Sequence, residues 1–356
     1  MEWTQQRGSV GVVGGGIIGM SAAWRLAQAG FAVMVYEKST VGGEASWAGA
    51  GMLAPGGEFE GDSELARLAV ESRDLYPAFV DELRRESGLA IDLQETGALE
   101  VAYSAEEMRL LDERAERQAA IGIPSKRVST EQITTFWPLL NKEQLAGGYF
   151  YPGDAAVDPR HVMGALRIAC EKAGVTVVEP GEVKSITVET AVVCLDTNRH
   201  DAVVIAAGAW SGLIAVRGVP ALPASQPVRG HLLGYRQPER ICNGILRRGH
   251  TYLLQRANGL LIVGASVERV GFDRGIDQDA AAKLRSEAAL LLPHLGETSP
   301  SEVWNGFRPG SDELHIGPWH SARVQLAYGH YRNGILLAPV TAQLLTRSVS
   351  ASLQKR

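Results

Sequence analysis

Between the apolar run Val10–Val13 and a stretch of helical periodicity at Ile17–Ala29 lies Gly14-Gly15-Gly16-Ile17-Ile18-Gly19. Three glycines at G-x-G-x-x-G spacing are common by chance. Directly after a strand and at the start of a helix, they have the setting that a dinucleotide fingerprint needs. Gly14 permits the tight turn, Gly16 lets the backbone approach a pyrophosphate, and Gly19 lets the helix pack close to the strand. The N–H groups and partial positive charge of the helix start, where Ile17 and Ile18 sit, suit the phosphates. A second apolar run, Phe31–Tyr36, follows Gly30 and is closed by Glu37. A carboxylate there can accept both hydroxyls of a ribose and would repel a 2′-phosphate. Strand, glycine turn, helix and strand form a βαβ unit, so the two strands are expected to be parallel and buried.

This fingerprint fits NAD and FAD equally, and further segments favour FAD. Val41-Gly42-Gly43-Glu44-Ala45-Ser46-Trp47-Ala48-Gly49-Ala50-Gly51-Met52 follows the ribose acid at once and can lay a bare backbone along a long cofactor. Val203–Ala207, then Gly208-Ala209-Trp210, reads as a strand returning to the nucleotide domain after an insertion. Gly329-His330-Tyr331-Arg332-Asn333-Gly334-Ile335-Leu336-Leu337-Ala338-Pro339 runs from strand into helix. Its N–H groups would point at the negative charge that a reduced flavin develops.

Elsewhere Ser63–Ser87 has helical spacing, with Gly88 as its stop and Pro77 expected to split it in two. Ser104 and Glu107 predict a capping box for a helix to about Ile121. Asp158-Pro159 opens a helix over Arg160–Ala173. Beyond Pro220, the runs Tyr252–Gln255 and Leu260–Val263 flank Asn258-Gly259, a hairpin signal. Helices are expected at Asp279–Leu292 and Ile335–Val349, with a strand at Leu326–Tyr328. Parallel and antiparallel textures interleave along the 356 residues. The expected fold is therefore α/β: a Rossmann-like FAD-binding domain with a mainly parallel sheet, interleaved with an antiparallel-sheet α+β substrate domain. The first would take residues 8–85, 152–215 and 305–356, the second 86–151 and 216–304.

A net charge of −5 offers no basic field for nucleic acid or an anionic membrane. The three cysteines, Cys170, Cys194 and Cys242, lie far apart and fit packing roles in a reducing cytoplasm. Met1–Ser9 is polar and lacks the apolar stretch of a signal peptide, and no run of about 18 apolar residues predicts a membrane span. No spacing suggests a metal site, a serine-hydrolase elbow or an EF-hand. The acidic run Glu58-Phe59-Glu60-Gly61-Asp62 reads as a solvated loop.

With the glycine turn, the Ala48-Gly49-Ala50-Gly51-Met52-Leu53 segment, Gly306-Phe307-Arg308-Pro309-Gly310 and the 329–339 segment, nearly the whole chain resembles the D-amino-acid oxidase superfamily. Within it, the chain most resembles the bacterial glycine oxidases of thiamine biosynthesis. The resemblance implies FAD-dependent oxidation of glycine, and often sarcosine or small D-amino acids, with hydride passing to flavin N5. Molecular oxygen would then give hydrogen peroxide, and the imine would hydrolyse to glyoxylate and ammonia or pass to thiazole synthase. It also implies a homotetramer.

Residue by residue, the resemblance puts Glu37 and Lys38 by the adenosine ribose and Ala45 and Ser46 by the pyrophosphate. Ala50, Gly51 and Met52 would run beside the flavin ring, Val183 by the adenine, and His330 to Leu336 along the flavin border. Arg308 matches an arginine that binds the substrate carboxylate, Arg332 a second arginine near the substrate, and Tyr252 and His250 residues lining its cavity. The chemistry agrees: a guanidinium is planar, always charged and able to grip one carboxylate with two hydrogen bonds. Tyr252 could add a hydroxyl donor, and Met52 a cavity wall. No side chain has to act as general base. The chain departs from the glycine oxidase pattern in a shorter 311–317 stretch and in Trp47, which replaces a small residue beside the cofactor. Two rival readings stand: another FAD amine oxidase or dehydrogenase acting on D-amino acids, sarcosine or proline, and an FAD-binding partner protein without turnover.

Overall fold

The computed structural model describes residues 7–354, so residues 1–6 of the polar N-terminal stretch lie outside the described residues. Strand Ser9–Val13 pairs in parallel with Ala32–Tyr36 on one side and with Ala202–Ile205 on the other. Outward from these lie Thr176–Val178 and Val324–Tyr328, and His315–Pro318 closes one edge antiparallel. The central strands are apolar throughout because both faces are covered. Helices Ile17–Gln28, Glu64–Ser87, Pro159–Lys172 and Gly334–Leu353 bury one face. A small four-stranded sheet from the 185–217 region buries the other through Ile186, Val193 and Leu195.

Pro77 does not divide its helix, contrary to expectation: Glu64–Ser87 is continuous. A proline inside a helix costs about 3 kcal/mol, and tertiary contacts offset it here. Tyr76, Phe79, Val80 and Leu83 are buried. The Ser72 and Tyr76 hydroxyls also donate to the carbonyls of Leu336 and Ile335, at 2.6 and 3.0 Å. The long helix thus braces the start of helix Gly334–Leu353, which matters for the site.

Of the capping box expected at Ser104, half is present. Ser104 Oγ accepts from the Glu107 N–H at 3.1 Å, but the Glu107 carboxylate takes the Tyr103 N–H and Arg248 instead of closing on Ser104. Competition from a buried-edge arginine explains the shift. A complete box stands at Ser129 and Gln132. Asp158 caps the helix Pro159–Lys172 as expected.

The second large sheet has eight strands, in the order 302–310, 226–236, 260–264, 251–255, 245–248, 98–102, 147–151 and 126–128. Its pairs are antiparallel except where Ile245–Arg248 lies parallel to Ala98–Ala102, joining blocks from distant parts of the chain. The 251–255 and 260–264 strands form the expected hairpin, with Gly259 at φ +82°. Strand Glu302–Gly310 pairs with Gln226–Arg236 and sets Arg308 opposite Val228. Among the described residues, no helix is long and apolar enough to cross a membrane.

Candidate functional site

A cavity of about 450 Å³ runs from the ends of the parallel strands to the mixed sheet. At its first end Gly14 takes φ +106°, and a side chain there would strike the Ala206 carbonyl. Its N–H donates to the Tyr36 carbonyl at 2.8 Å, tying the turn to the neighbouring strand. Glu37 is fixed at the same end. Its Oε2 accepts from the Gly15 N–H at 2.8 Å and its Oε1 from the Ser39 N–H at 2.9 Å. Ser46 Oγ accepts from the Ile17 N–H at 2.9 Å, which holds the small-residue segment against the turn.

Among the described residues, two α-helices longer than one turn begin at the cavity wall, Ile17–Gln28 and Gly334–Leu353. Neither has an acidic residue in its first turn, and neither N-cap residue supplies a side-chain cap. The helices starting at Glu64, Ala105, Thr130 and Gln278 all carry acid there. Apart from the Ile17 N–H, which Ser46 takes, the positive ends of the two cavity helices are left for a ligand. One suits a pyrophosphate, the other a ring that gains negative charge. The site fits a long dinucleotide with a redox ring at its far end.

The structure brings most of the sequence-predicted residues to this cavity. Gly14, Gly16, Ile17, Ile18, Glu37, Lys38, Ala45, Ser46, Ala50, Gly51, Met52 and Val183 line it, as do His330, Tyr331, Arg332, Gly334 and Ile335. Gly19 is not at the wall; it lets the helix press on the Gly14 carbonyl. Asn333, Leu336 and the exposed His250 border a neighbouring hollow of about 30 Å³ instead. Trp47 does not face the cavity: it packs beneath Arg160, whose guanidinium carbon is 3.8 Å from its ring centre. That side chain therefore takes no space from a cofactor. Lys38 lies 3.3 Å over the Trp210 ring, and burial holds its amine below the usual lysine range. His330 is buried against Thr341, Nε2 to Oγ1 3.1 Å, and burial pushes it down to about 3. It is a neutral wall.

At the far end, Arg308 extends from strand Glu302–Gly310 into the space a Gly230 side chain would occupy. Its Nη1 donates to the Ser266 carbonyl at 3.0 Å. Among the described residues no carboxylate lies within ion-pair distance of it. Burial pulls Arg308 below the usual arginine value, as expected for a cation awaiting an anion. Tyr252 lies beside it over Gly264, whose missing side chain makes room for the hydroxyl. That hydroxyl has no hydrogen-bond partner among the described residues, and burial raises it above the usual tyrosine value. A free guanidinium and a free hydroxyl donor thus share one cavity end.

Arg332 is different, being paired with Glu58 at 3.4 Å. This corrects the reading of 58–62 as a solvated loop. Phe59 is buried and Glu58 half-buried, while Glu60 is exposed. Burial raises the Glu58 carboxyl above its usual range, and Arg332, Arg247 and a hydrogen bond from Asn333 offset only part of that rise. Sequence reasoning missed Glu58, Gly230 and Ser266. Gly230 carried a usable signal, since a glycine inside a strand marks a close approach. Ser266 acts through its carbonyl, which no side-chain pattern reveals.

Comparison with known proteins agrees with this geometry. Residues 9–348 match the family described as DAO, FAD dependent oxidoreductase. A glycine oxidase of Geobacillus kaustophilus is 33% identical over 95% of this chain and 92% of its own length. A bifunctional protein ThiO/ThiG of Trichormus variabilis is 33% identical over 94% of this chain, which spans 51% of that relative. The crystal structure of glycine oxidase from Geobacillus kaustophilus superposes with a TM-score of 0.90 at 32% identity, covering 99% of this chain and 96% of that one.

Proposed function

This chain belongs to the FAD-dependent oxidoreductase family and is an FAD-dependent amino-acid oxidase, and on that premise we propose that its substrate is glycine. Sarcosine and small D-amino acids are the secondary candidates. The observation that carries this reading is the pairing of Arg308 with Tyr252: a cation without an anion and a hydroxyl without an acceptor at the same end of the cavity. Arg308 takes the carboxylate through two parallel hydrogen bonds, and Tyr252 donates a third. Fixing the carboxylate orients the α-carbon, which is the protein's main task in a hydride transfer.

FAD, when bound, would supply a two-electron acceptor for the carbon-bound hydride, and molecular oxygen would take up those electrons as hydrogen peroxide. The chain's own residues do the rest. Gly14, Gly16 and the start of helix Ile17–Gln28 would hold the pyrophosphate, and Glu37 would take the ribose. Ala50, Gly51 and Met52, which line the cavity, would lie beside the ring. The start of helix Gly334–Leu353, which lacks a side-chain cap, would favour negative charge on a ring held there. Apolar walls exclude water and favour the neutral amine over the ammonium, so no basic side chain has to take a proton. The imine released would hydrolyse to glyoxylate and ammonia.

We assign the cofactor to residues 8–85, 152–215 and 305–356, and the substrate side to residues 86–151 and 216–304. Strand Glu302–Gly310, which carries Arg308, pairs along its length with residues 226–234 of the mixed sheet, so the first residues of the 305–356 block also face the substrate side. Delivery of the imine to a thiazole synthase is supported by the bifunctional ThiO/ThiG relative. Incubating the flavin-loaded enzyme in air with glycine, sarcosine, D-alanine and D-proline tests the reading. Glycine should give equal amounts of peroxide, glyoxylate and ammonia; no product from any of the four would overturn it.

A further inference from the structure

The cavity holds two guanidinium groups in different electrostatic states. Arg308 has no carboxylate within ion-pair distance among the described residues, whereas Arg332 faces the Glu58 carboxylate at 3.4 Å. Beside them opens the small hollow of about 30 Å³, which shares Met52, Tyr252 and Arg332 with the main cavity and has Glu58 in its wall. That is room for one or two waters, or for a small polar group displacing them.

Glu58 is held in place from several sides. The Gly56 N–H donates to Asp154 Oδ1 at 3.1 Å, and Gln118 Nε2 donates to the carbonyls of Gly56 and Phe59 at 2.7 and 2.5 Å. Asp154 is itself paired with Arg247 at 2.8 Å. Phe59 then buries its ring in the helical core. A carboxylate on a segment fastened this way is a fixed part of the cavity end.

We propose that Glu58 determines substrate specificity by neutralising Arg332, so that among the described residues the substrate end keeps one guanidinium without a carboxylate, Arg308, and accepts amines bearing a single carboxylate. The proposal rests on the amino-acid oxidase reading given above. A substrate with a second carboxylate would have to displace Glu58 from Arg332 and leave it half-buried without its partner, and that penalty falls on dicarboxylates alone. Specificity of this kind comes from a repulsive element rather than from an added contact.

The test uses the flavin-loaded protein with Glu58→Gln, and Glu58→Ala as a second variant should the amide disturb the loop. Binding of acetate and malonate is followed through the flavin spectrum, and turnover is followed with glycine and iminodiacetate. In either variant malonate should tighten relative to acetate, and the ratio of kcat/KM for iminodiacetate over glycine should rise, each by about tenfold or more. Both gains should vanish in Glu58→Gln/Arg332→Leu. Unchanged ratios in the single variants, or gains that survive loss of Arg332, would overturn the proposal. The binding arm separates the two ideas. A shifted malonate-to-acetate ratio in a protein that oxidises no amino acid would refute the oxidase reading and keep Glu58, while glycine turnover with unmoved ratios would do the reverse.

Discussion

The Arg308 guanidinium occupies the space that a side chain on Gly230 would fill, one strand away in the mixed sheet. Strand pairing puts Arg308 opposite Val228, and the bare Cα of Gly230 lets the long side chain lie across the sheet toward the cavity. Any side chain at position 230 must push the guanidinium away. Gly230→Val should therefore keep FAD but lower kcat/KM for glycine on the order of a hundredfold, as misplacement by an ångström does. Steady-state kinetics with a flavin-to-protein ratio check this; unchanged kinetics would show that Arg308 is not positioned by that gap.

Arg308 itself carries a simpler expectation. Arg308→Ala should lose about 3 kcal/mol or more of carboxylate binding, read as a large rise in the dissociation constant for glycine or acetate, with FAD retained. Retained glycine affinity would remove Arg308 from the mechanism.

Ser46 joins the cofactor segment to the glycine turn by accepting the Ile17 N–H at 2.9 Å. In Ser46→Ala that buried donor loses its partner, which costs about 1 kcal/mol or somewhat more. Thermal unfolding of the apoprotein should shift down, and FAD should dissociate more readily in equilibrium dialysis. No change in either would show the contact to be incidental.

His330 gives a pH signature. Burial holds it at about 3 in the folded chain, against 6.5 for an unperturbed histidine. Between those values the unfolded chain takes up a proton that the native state refuses, so stability rises with pH. The contribution is complete above pH 6.5 and drains away as the pH falls toward 3. His330→Gln removes this term. Urea unfolding at neutral pH and near pH 4.5 should show wild type losing more stability on acidification than the variant; equal losses would contradict the assignment.

The nucleotide half was largely legible because its chemistry is local. The Asp158 cap acts two residues from its position, and the glycine turn and the Glu37 carboxylate meet within a single βαβ unit. Pro77 misled because tertiary packing overrides a local propensity: Ser72 and Tyr76, on the same helix as Pro77, bond to the start of helix Gly334–Leu353. Arg308, Arg332 and Tyr252 were found through resemblance, whereas Glu58 was hidden. Its neighbours Glu60 and Asp62 are exposed, so the acidic run looks solvated as a whole. Only the fold shows that Glu58 turns inward to Arg332 while the next acid turns out. The parallel joint between Ile245–Arg248 and Ala98–Ala102 was equally invisible, since pairing across so long a separation leaves no local pattern.

Anaerobic titration of the flavin-loaded protein with glycine addresses the central claim most directly. The account predicts that the oxidised flavin colour bleaches with saturable dependence on glycine, that acetate competes, and that both effects weaken in parallel in Arg308→Ala. A flavin that keeps its colour with glycine, sarcosine, D-alanine and D-proline alike would contradict it.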